Sequence, residues 1–312
     1  MIVAATVEVR RGLVYSTATG REVTLDLHLP EDRREPCPIV LYLHGGAFMV
    51  GAKEDNAEAR LAPVARSGIG VASASYRFSD VAQYPAQLHD VKAAVRWLRA
   101  HAAEYGYRAE RVGAWGASAG GYLALMLGLT GGSREHEGHL GEHLDQSSAV
   151  DATCAWFAPV DMLRPTEPAP GRSLPPFITG PWPPPGPSVA ARLLGLQDVG
   201  DDPGRAAAAS PINHAAGAQG VFLLMHGDAD AMVAEDESRR LHDALMAARV
   251  DSTLLLLAGA NHEDPLFHSP AALGAVTGFF TAALWEGANR RPATLATDDQ
   301  HEDVIDDPVC DL

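Results

Sequence analysis

The run Val112-Gly113-Ala114-Trp115-Gly116-Ala117-Ser118-Ala119-Gly120-Gly121-Tyr122-Leu123 decides the fold. Its first four residues read as a short apolar strand, and Gly120 to Leu129 as a small-residue helix. Between them lies a Gly-x-Ser-x-Gly pattern. A serine held on a sharp strand-to-helix turn forces the two backbones together two residues on either side, where only small residues fit. Ser118 then projects into the crevice at the carboxyl end of a sheet. The helix amino terminus behind it favours negative charge that develops during a reaction.

Working outward, the same alternation of strand and helix recurs. Val7 and Val9, then Val23, Leu25, Leu27 and Leu29, alternate with polar residues around a Thr19-Gly20 turn, which predicts antiparallel strands. Ile39 to Leu43 and Gly70 to Ala74 are apolar enough to be buried strands. From Pro85 the period becomes helical, with Leu88, Val91, Val95 and Leu98 on one face and Gly106 as the stop. Further strands are expected at 153–158, 221–225 and 253–257, with helices at 235–249 and 270–285. This alternation predicts an α/β fold with one core, a mostly parallel central sheet and helices on both faces. The N-terminal strands extend one edge.

One stretch breaks the rhythm. Ten prolines lie between Arg164 and Pro187, together with Phe177, Ile178 and Trp182. Proline neither donates to a ladder nor sits inside a helix, so an irregular excursion is expected, and its aromatic residues suit a cap over a pocket. The domain plan is a catalytic domain over 1–287, with a Pro-rich cap insertion at about 161–205. An acidic, disordered tail over 288–312 follows, with seven Asp or Glu and no Lys or Arg from Asp298 onward.

Composition excludes several function classes. Lys and Arg number 24 against 40 Asp and Glu, a net charge of −16, which argues against a nucleic-acid partner. No apolar run reaches the roughly 18 residues needed to span a bilayer, and the first residues lack the pattern of a secretory signal. Three cysteines, Cys37, Cys154 and Cys310, have no metal-type spacing. A reduced, cytoplasmic protein is the economical expectation. His136, His139 and His143 lie in a polar Gly/Glu-rich stretch that reads as a solvated loop rather than a metal site.

A serine hydroxyl needs a base, and the base needs a carboxylate to fix its tautomer. His44-Gly45-Gly46-Ala47-Phe48 ends an upstream strand, where this fold places an oxyanion donor. The N–H groups of Gly46 and Ala47 are assigned that work together with Ala119, while His44 and Gly45 shape the loop. Downstream, His226-Gly227-Asp228-Ala229-Asp230 and Gly259-Ala260-Asn261-His262 both follow expected strands, so both can converge on Ser118. His262 is the expected base. Asp228 and Asp230 are both candidate acids.

At this point the chain resembles α/β-hydrolase carboxylesterases of the hormone-sensitive-lipase-like and bacterial feruloyl-esterase-like (BD-FAE) type. The resemblance rests on Leu25-Asp26-Leu27 with Leu29-Pro30, His44 to Phe48, and Tyr84-Pro85-Ala86-Gln87 with Asp90 to Ala94. It continues through Gly116 to Gly121, Ser210-Pro211, His226-Gly227 with Asp230 and Val233, and His262, in family order across residues 7 to 285. It implies that Asp230 is the acid and Asp228 a loop residue. It also exposes a departure: many relatives have a third glycine, or a Trp or Tyr, where this chain has Ala47-Phe48. An alanine N–H still donates, and Phe48 is expected to wall the acyl pocket.

The function so implied is a serine carboxylesterase for short- to medium-acyl esters, with Phe177 and Trp182 in the cap against substrate. It needs no metal or organic cofactor and has a small-molecule ester as its partner, without nucleic acid or membrane; monomer and homodimer remain open. Other uses of the same triad are an amide, formamide or lactone hydrolase, an acyl transferase, or a cyclase or isomerase reusing the pocket. A non-catalytic binding protein on this fold is disfavoured because Ser118, Asp230 and His262 are all present.

Overall fold

The protein is described from a computed structural model, which covers residues 6–17, 20–164, 173–180 and 185–285. Eight strands form one sheet: β1 (Val7–Ser16), β2 (Val23–Pro30), β3 (Cys37–Leu43), β4 (Gly70–Ala74), β5 (Tyr107–Ala117), β6 (Ala152–Trp156), β7 (Val221–Gly227) and β8 (Ser252–Leu257). Their spatial order is β1-β2-β4-β3-β5-β6-β7-β8. β2 runs antiparallel to both β1 and β4, and every pair from β4 to β8 is parallel.

The helices are α1 (Ala62–Arg66), α2 (Ala86–Ala100), α3 (Ala102–Tyr105), α4 (Ala119–Leu129), α5 (Val189–Leu194), α6 (Pro203–Ala208), α7 (Asp236–Ala247) and α8 (Pro270–Phe280). β3 explains why both faces are covered. All seven of its residues are buried. Ile39, Leu41 and Leu43 pack with Leu88, Val91 and Tyr122 of α2 and α4, whereas Val40 and Tyr42 pack with Val64 and Phe280 of α1 and α8. A strand apolar at every position needs a helix layer on each side. This is the α/β-hydrolase fold.

Several boundaries differ from the expected ones for physical reasons. β5 begins at Tyr107, ahead of the apolar run, because Tyr107 and Arg108 pair with Cys37 and Pro38 before a register shift. β6 stops at Trp156 because Phe157 takes a positive φ of 37°. Pro85 caps α2 from just outside rather than opening it. α1, α5 and α6 were not anticipated. Each is five or six residues long, too short to display a period. Thr19 of the expected turn, Trp182 and the acidic tail lie outside the described residues. Among the described residues, no helix is long and apolar enough to cross a membrane.

Candidate active site

Ser118 sits between β5 and α4 with φ 53° and ψ −118°, a conformation that L-residues rarely adopt. The packing that enforces it is visible at the flanking glycines. A Cβ on Gly116 would meet the Gly120 oxygen at 2.1 Å, and one on Gly120 would meet the Leu43 oxygen at 2.0 Å. The Gly-x-Ser-x-Gly pattern therefore records a three-way backbone contact among β5, α4 and the end of β3.

The structure brings Ser118, His262 and Asp230 together, although they lie on three different loops. His262 Nε2 is 3.0 Å from Ser118 Oγ, and its Nδ1 is 2.7 Å from Asp230 Oδ2. A carboxylate only accepts, so Nδ1 carries the proton and Nε2 presents a lone pair to the serine hydroxyl. Asp230 and His262 are almost wholly buried. Asp228 instead accepts the Gly259 N–H at 2.7 Å and braces the two loops against each other.

Asp230 is held by more than His262. Its Oδ1 accepts the N–H groups of Met232 and Val233, and His226 Nε2 lies 3.3 Å from Oδ2. Burial alone would raise the carboxyl, but the neighbouring His262 and His226 outweigh it and keep Asp230 well below the usual carboxylate range. The buried His226 also faces the Val233 carbonyl through Nε2, so Nε2 carries its proton. Ser238 Oγ then donates to His226 Nδ1 at 2.7 Å.

The loop after β3, expected to hold the oxyanion donors, is shaped from within. Gly46 has φ 118°, and a Cβ there would fall 1.9 Å from the Val50 oxygen. Its carbonyl accepts the N–H groups of Met49 and Val50. His44, buried and stacked on Tyr76 at 4.6 Å, donates through Nδ1 to the Gly45 carbonyl at 2.7 Å. Burial lowers its pKa and so keeps it neutral. Among the described residues, no acceptor takes the N–H of Gly46, Ala47 or Ala119.

Two cavities meet at Ser118. The smaller, about 30 Å³, is lined by Ala47, Phe48, Ala119, Pro159, Val189, Met232 and Val233. Phe48 is 1% exposed and packs edge-to-face on Tyr122 at 5.3 Å. The larger, about 670 Å³, is lined by Tyr42, Arg60, Glu263 and His268, together with Phe177 and Ile178. Sequence reasoning missed these four polar residues. They come from a β-strand, a π-helical turn (Ala57–Leu61), the residue after His262 and a 3-10 turn (Pro265–His268), and no pattern links them.

Asn261 was also missed. Its Oδ1 accepts from Ala231 N and His262 N, and its Nδ2 donates to Ser173 O at 2.8 Å. It thus joins the acid loop, the base loop and the proline-rich segment. The histidines of the 136–143 stretch do not gather: His136 packs on His214 and His143 on His101. Among the described residues, no group of three or more His, Cys, Asp or Glu is placed to hold a metal.

Known proteins resemble this chain to different extents. Esterase LipC of Mycobacterium tuberculosis (strain ATCC 25618 / H37Rv) is 27% identical over 229 residues, covering 73% of this chain and 53% of LipC. Esterase LipQ of the same strain is 27% identical over 233 residues, 73% of this chain and 51% of LipQ. The chain spans about half the length of these curated relatives. Among solved structures, a truncated carbohydrate esterase from gut microbiota superposes with TM-score 0.78 and 27% identity, covering 91% of this chain and 99% of that one. An esterase from Thermogutta terrifontis shares the fold, with TM-score 0.66 and 22% identity over 89% of this chain and 92% of that one. The BD-FAE family pattern matches residues 25–245, from β2 through α7, and the chain belongs to that family.

Proposed function

We propose that this chain is a serine carboxylesterase acting on esters of short acyl groups with larger, polar alcohols. The observation that carries the reading is the unbroken contact from Asp230 through His262 to Ser118, at 2.7 and 3.0 Å. In this reading Ser118 Oγ attacks the ester carbonyl carbon while its proton passes to His262 Nε2. The N–H groups of Gly46, Ala47 and Ala119 receive the oxyanion. Collapse expels the alcohol, which takes the proton from His262. Water, deprotonated by the same imidazole, then releases the acid and restores Ser118. Asp230 stays ionised throughout and steadies the imidazolium.

Cavity size divides the substrate. The small pocket has room on the order of two water molecules, which supports an acyl chain at the acetyl end of the range. The large cavity would take the alcohol, and the similarity to a carbohydrate esterase supports a hydroxylated one. The test is hydrolysis of p-nitrophenyl esters from acetate to dodecanoate by wild type and Ser118→Ala. Activity should peak at the shortest chains and vanish in the variant, together with labelling by a fluorophosphonate. Turnover that survives Ser118→Ala would overturn the reading.

A further inference from the structure

Arg60 is 1% exposed yet lines the large cavity. Its Nη1 donates to Tyr42 Oη at 2.5 Å and its Nη2 to Glu263 Oε2 at 2.6 Å. Nε and Nη2 both reach His268 Nε2, at 3.1 and 2.9 Å. The guanidinium also lies over the Trp156 ring, 4.8 Å from its centroid. Guanidinium only donates, so each of the three partners must turn an acceptor toward it. That decides which polar atoms remain. Glu263 keeps Oε1 as an acceptor. His268, with its Nε2 lone pair used, carries its proton on Nδ1 and keeps a donor. Among the described residues, neither atom has another partner.

Position ties these leftovers to the reaction centre. Glu263 directly follows His262, in a left-handed conformation with φ 53°. Its Oε1 would lie 3.5 Å from a Cβ on Gly45, and that Cβ 3.4 Å from Ser118 Cβ. Burial and the neighbouring Arg60 lower the pKa of His268, which keeps the ring neutral. We infer that Glu263 and His268, both oriented by Arg60, form a donor–acceptor subsite on the leaving-alcohol side of Ser118 that selects alcohols bearing further hydroxyl groups. A hydroxyl can donate to Glu263 Oε1 or accept from His268 Nδ1. An apolar alcohol of the same size leaves both unpaired, and the Glu263 and Asp55 carboxylates of this cavity disfavour an anionic one. The inference rests on the esterase reading for its directionality, because it assumes the alcohol occupies the large cavity.

The test compares a monoacetylated methyl xyloside with cyclohexyl acetate, two acetates matched in ring size. The ratio of their kcat/KM values is measured for wild type, Glu263→Gln and His268→Ala. Glu263→Gln keeps an oxygen for the Arg60 hydrogen bond and replaces the free acceptor with a donor, but it removes the charge paired with that buried cation, which is why the ratio between the two esters is read rather than the absolute rate. Binding of both esters is measured in parallel by calorimetry on Ser118→Ala and on its double variants, which requires no turnover. The expected result is a wild-type preference for the xyloside ester that falls about tenfold or more in each variant, carried by KM and by affinity. An unchanged ratio, including an equal loss on both esters, would overturn the subsite and leave Glu263 as a brace for the His262 loop. Wild-type hydrolysis without a preference would overturn the subsite while keeping the esterase reading. A Glu263-dependent preference in binding without any hydrolysis would do the reverse.

Discussion

Replacing Phe48 with alanine should lengthen the acyl chain that the protein accepts. Phe48 and Val189 wall a cavity of about 30 Å³, and the Phe48 ring is fixed against Tyr122. Removing the ring joins its space to that cavity. Each methylene of a longer acyl chain that fills the new space gains about 0.8 kcal/mol, or about fourfold in kcat/KM. Butyrate, with two more methylenes than acetate, should gain about fifteenfold relative to acetate. The backbone is held separately, because the Phe48 carbonyl accepts the Ser79 N–H at 2.8 Å, so the oxyanion loop should survive. Deleting a buried phenylalanine costs about 3–5 kcal/mol of stability, so Phe48→Leu is the milder companion. The assay is kcat/KM on p-nitrophenyl acetate, butyrate and hexanoate, normalised to sites titrated with a fluorophosphonate. A uniform loss with no change in chain-length preference would refute the reasoning and make Phe48 a support for the loop alone.

Asp230→Asn should lower kcat on the order of ten-thousandfold, because an amide can no longer hold the His262 tautomer. It should also change acid stability: a depressed folded pKa adds stability that is complete above the unfolded value of about 3.9 and is lost as pH falls through the folded one. Urea melts should therefore show the wild-type advantage over this variant shrinking below about pH 4. Asn261→Ala leaves the Ala231 and His262 N–H groups unpaired, and should cost about 1–3 kcal/mol in urea denaturation. Its kcat should fall by up to about a hundredfold through misplacement of the base, with KM little changed. Ala47→Gly keeps the donor and relieves a φ of 54°, so activity should persist and melting should hold steady or rise by the equivalent of about 1 kcal/mol. Lost activity there would assign the Ala47 methyl to the acyl wall.

The legible and illegible parts of this protein differ in the range of the forces that set them. β3 and the Ser118 turn could be read because local constraints fix them: an unbroken apolar run demands two helix layers, and glycines mark backbones in contact. The residues alone left Asp228 and Asp230 as equal candidates, since both follow β7 in the same loop. They are separated by which carboxylate turns toward His262, a tertiary fact anticipated only through family resemblance. Arg60 left no trace in sequence. A cation on a short π-helical turn looks like a solvated surface residue, and only the fold reveals that Tyr42, Glu263 and His268 enclose it. Composition marks the proline-rich stretch as irregular, and its Phe177 and Ile178 line the large cavity. Composition could not give the Asn261–Ser173 hydrogen bond that ties this stretch to the base loop.

The distribution of backbone strain makes the same point from the energetic side. Seven non-glycine residues among those described have positive φ: Ala47, Phe48, Asn56, Ser118, Phe157, Arg249 and Glu263. Arg249 belongs to the turn after α7, whereas the other six surround one point. Ala47, Phe48 and Ser118 line the small cavity, Asn56 and Glu263 the large one, and Phe157 packs edge-on against His262 at 4.6 Å. Each such conformation costs on the order of 1–3 kcal/mol, so together they rival the whole net stability of a typical domain. Strain of that size persists only where surrounding packing leaves no alternative, and here the sheet is covered on both faces by fully buried side chains. That core can therefore hold the loops in an arrangement they would not adopt alone, with Ser118, His262 and Asp230 already in contact. Preorganisation of this kind removes the reorganisation a flexible site would undergo at each turnover, which is the physical reason to locate chemistry where the strain is concentrated.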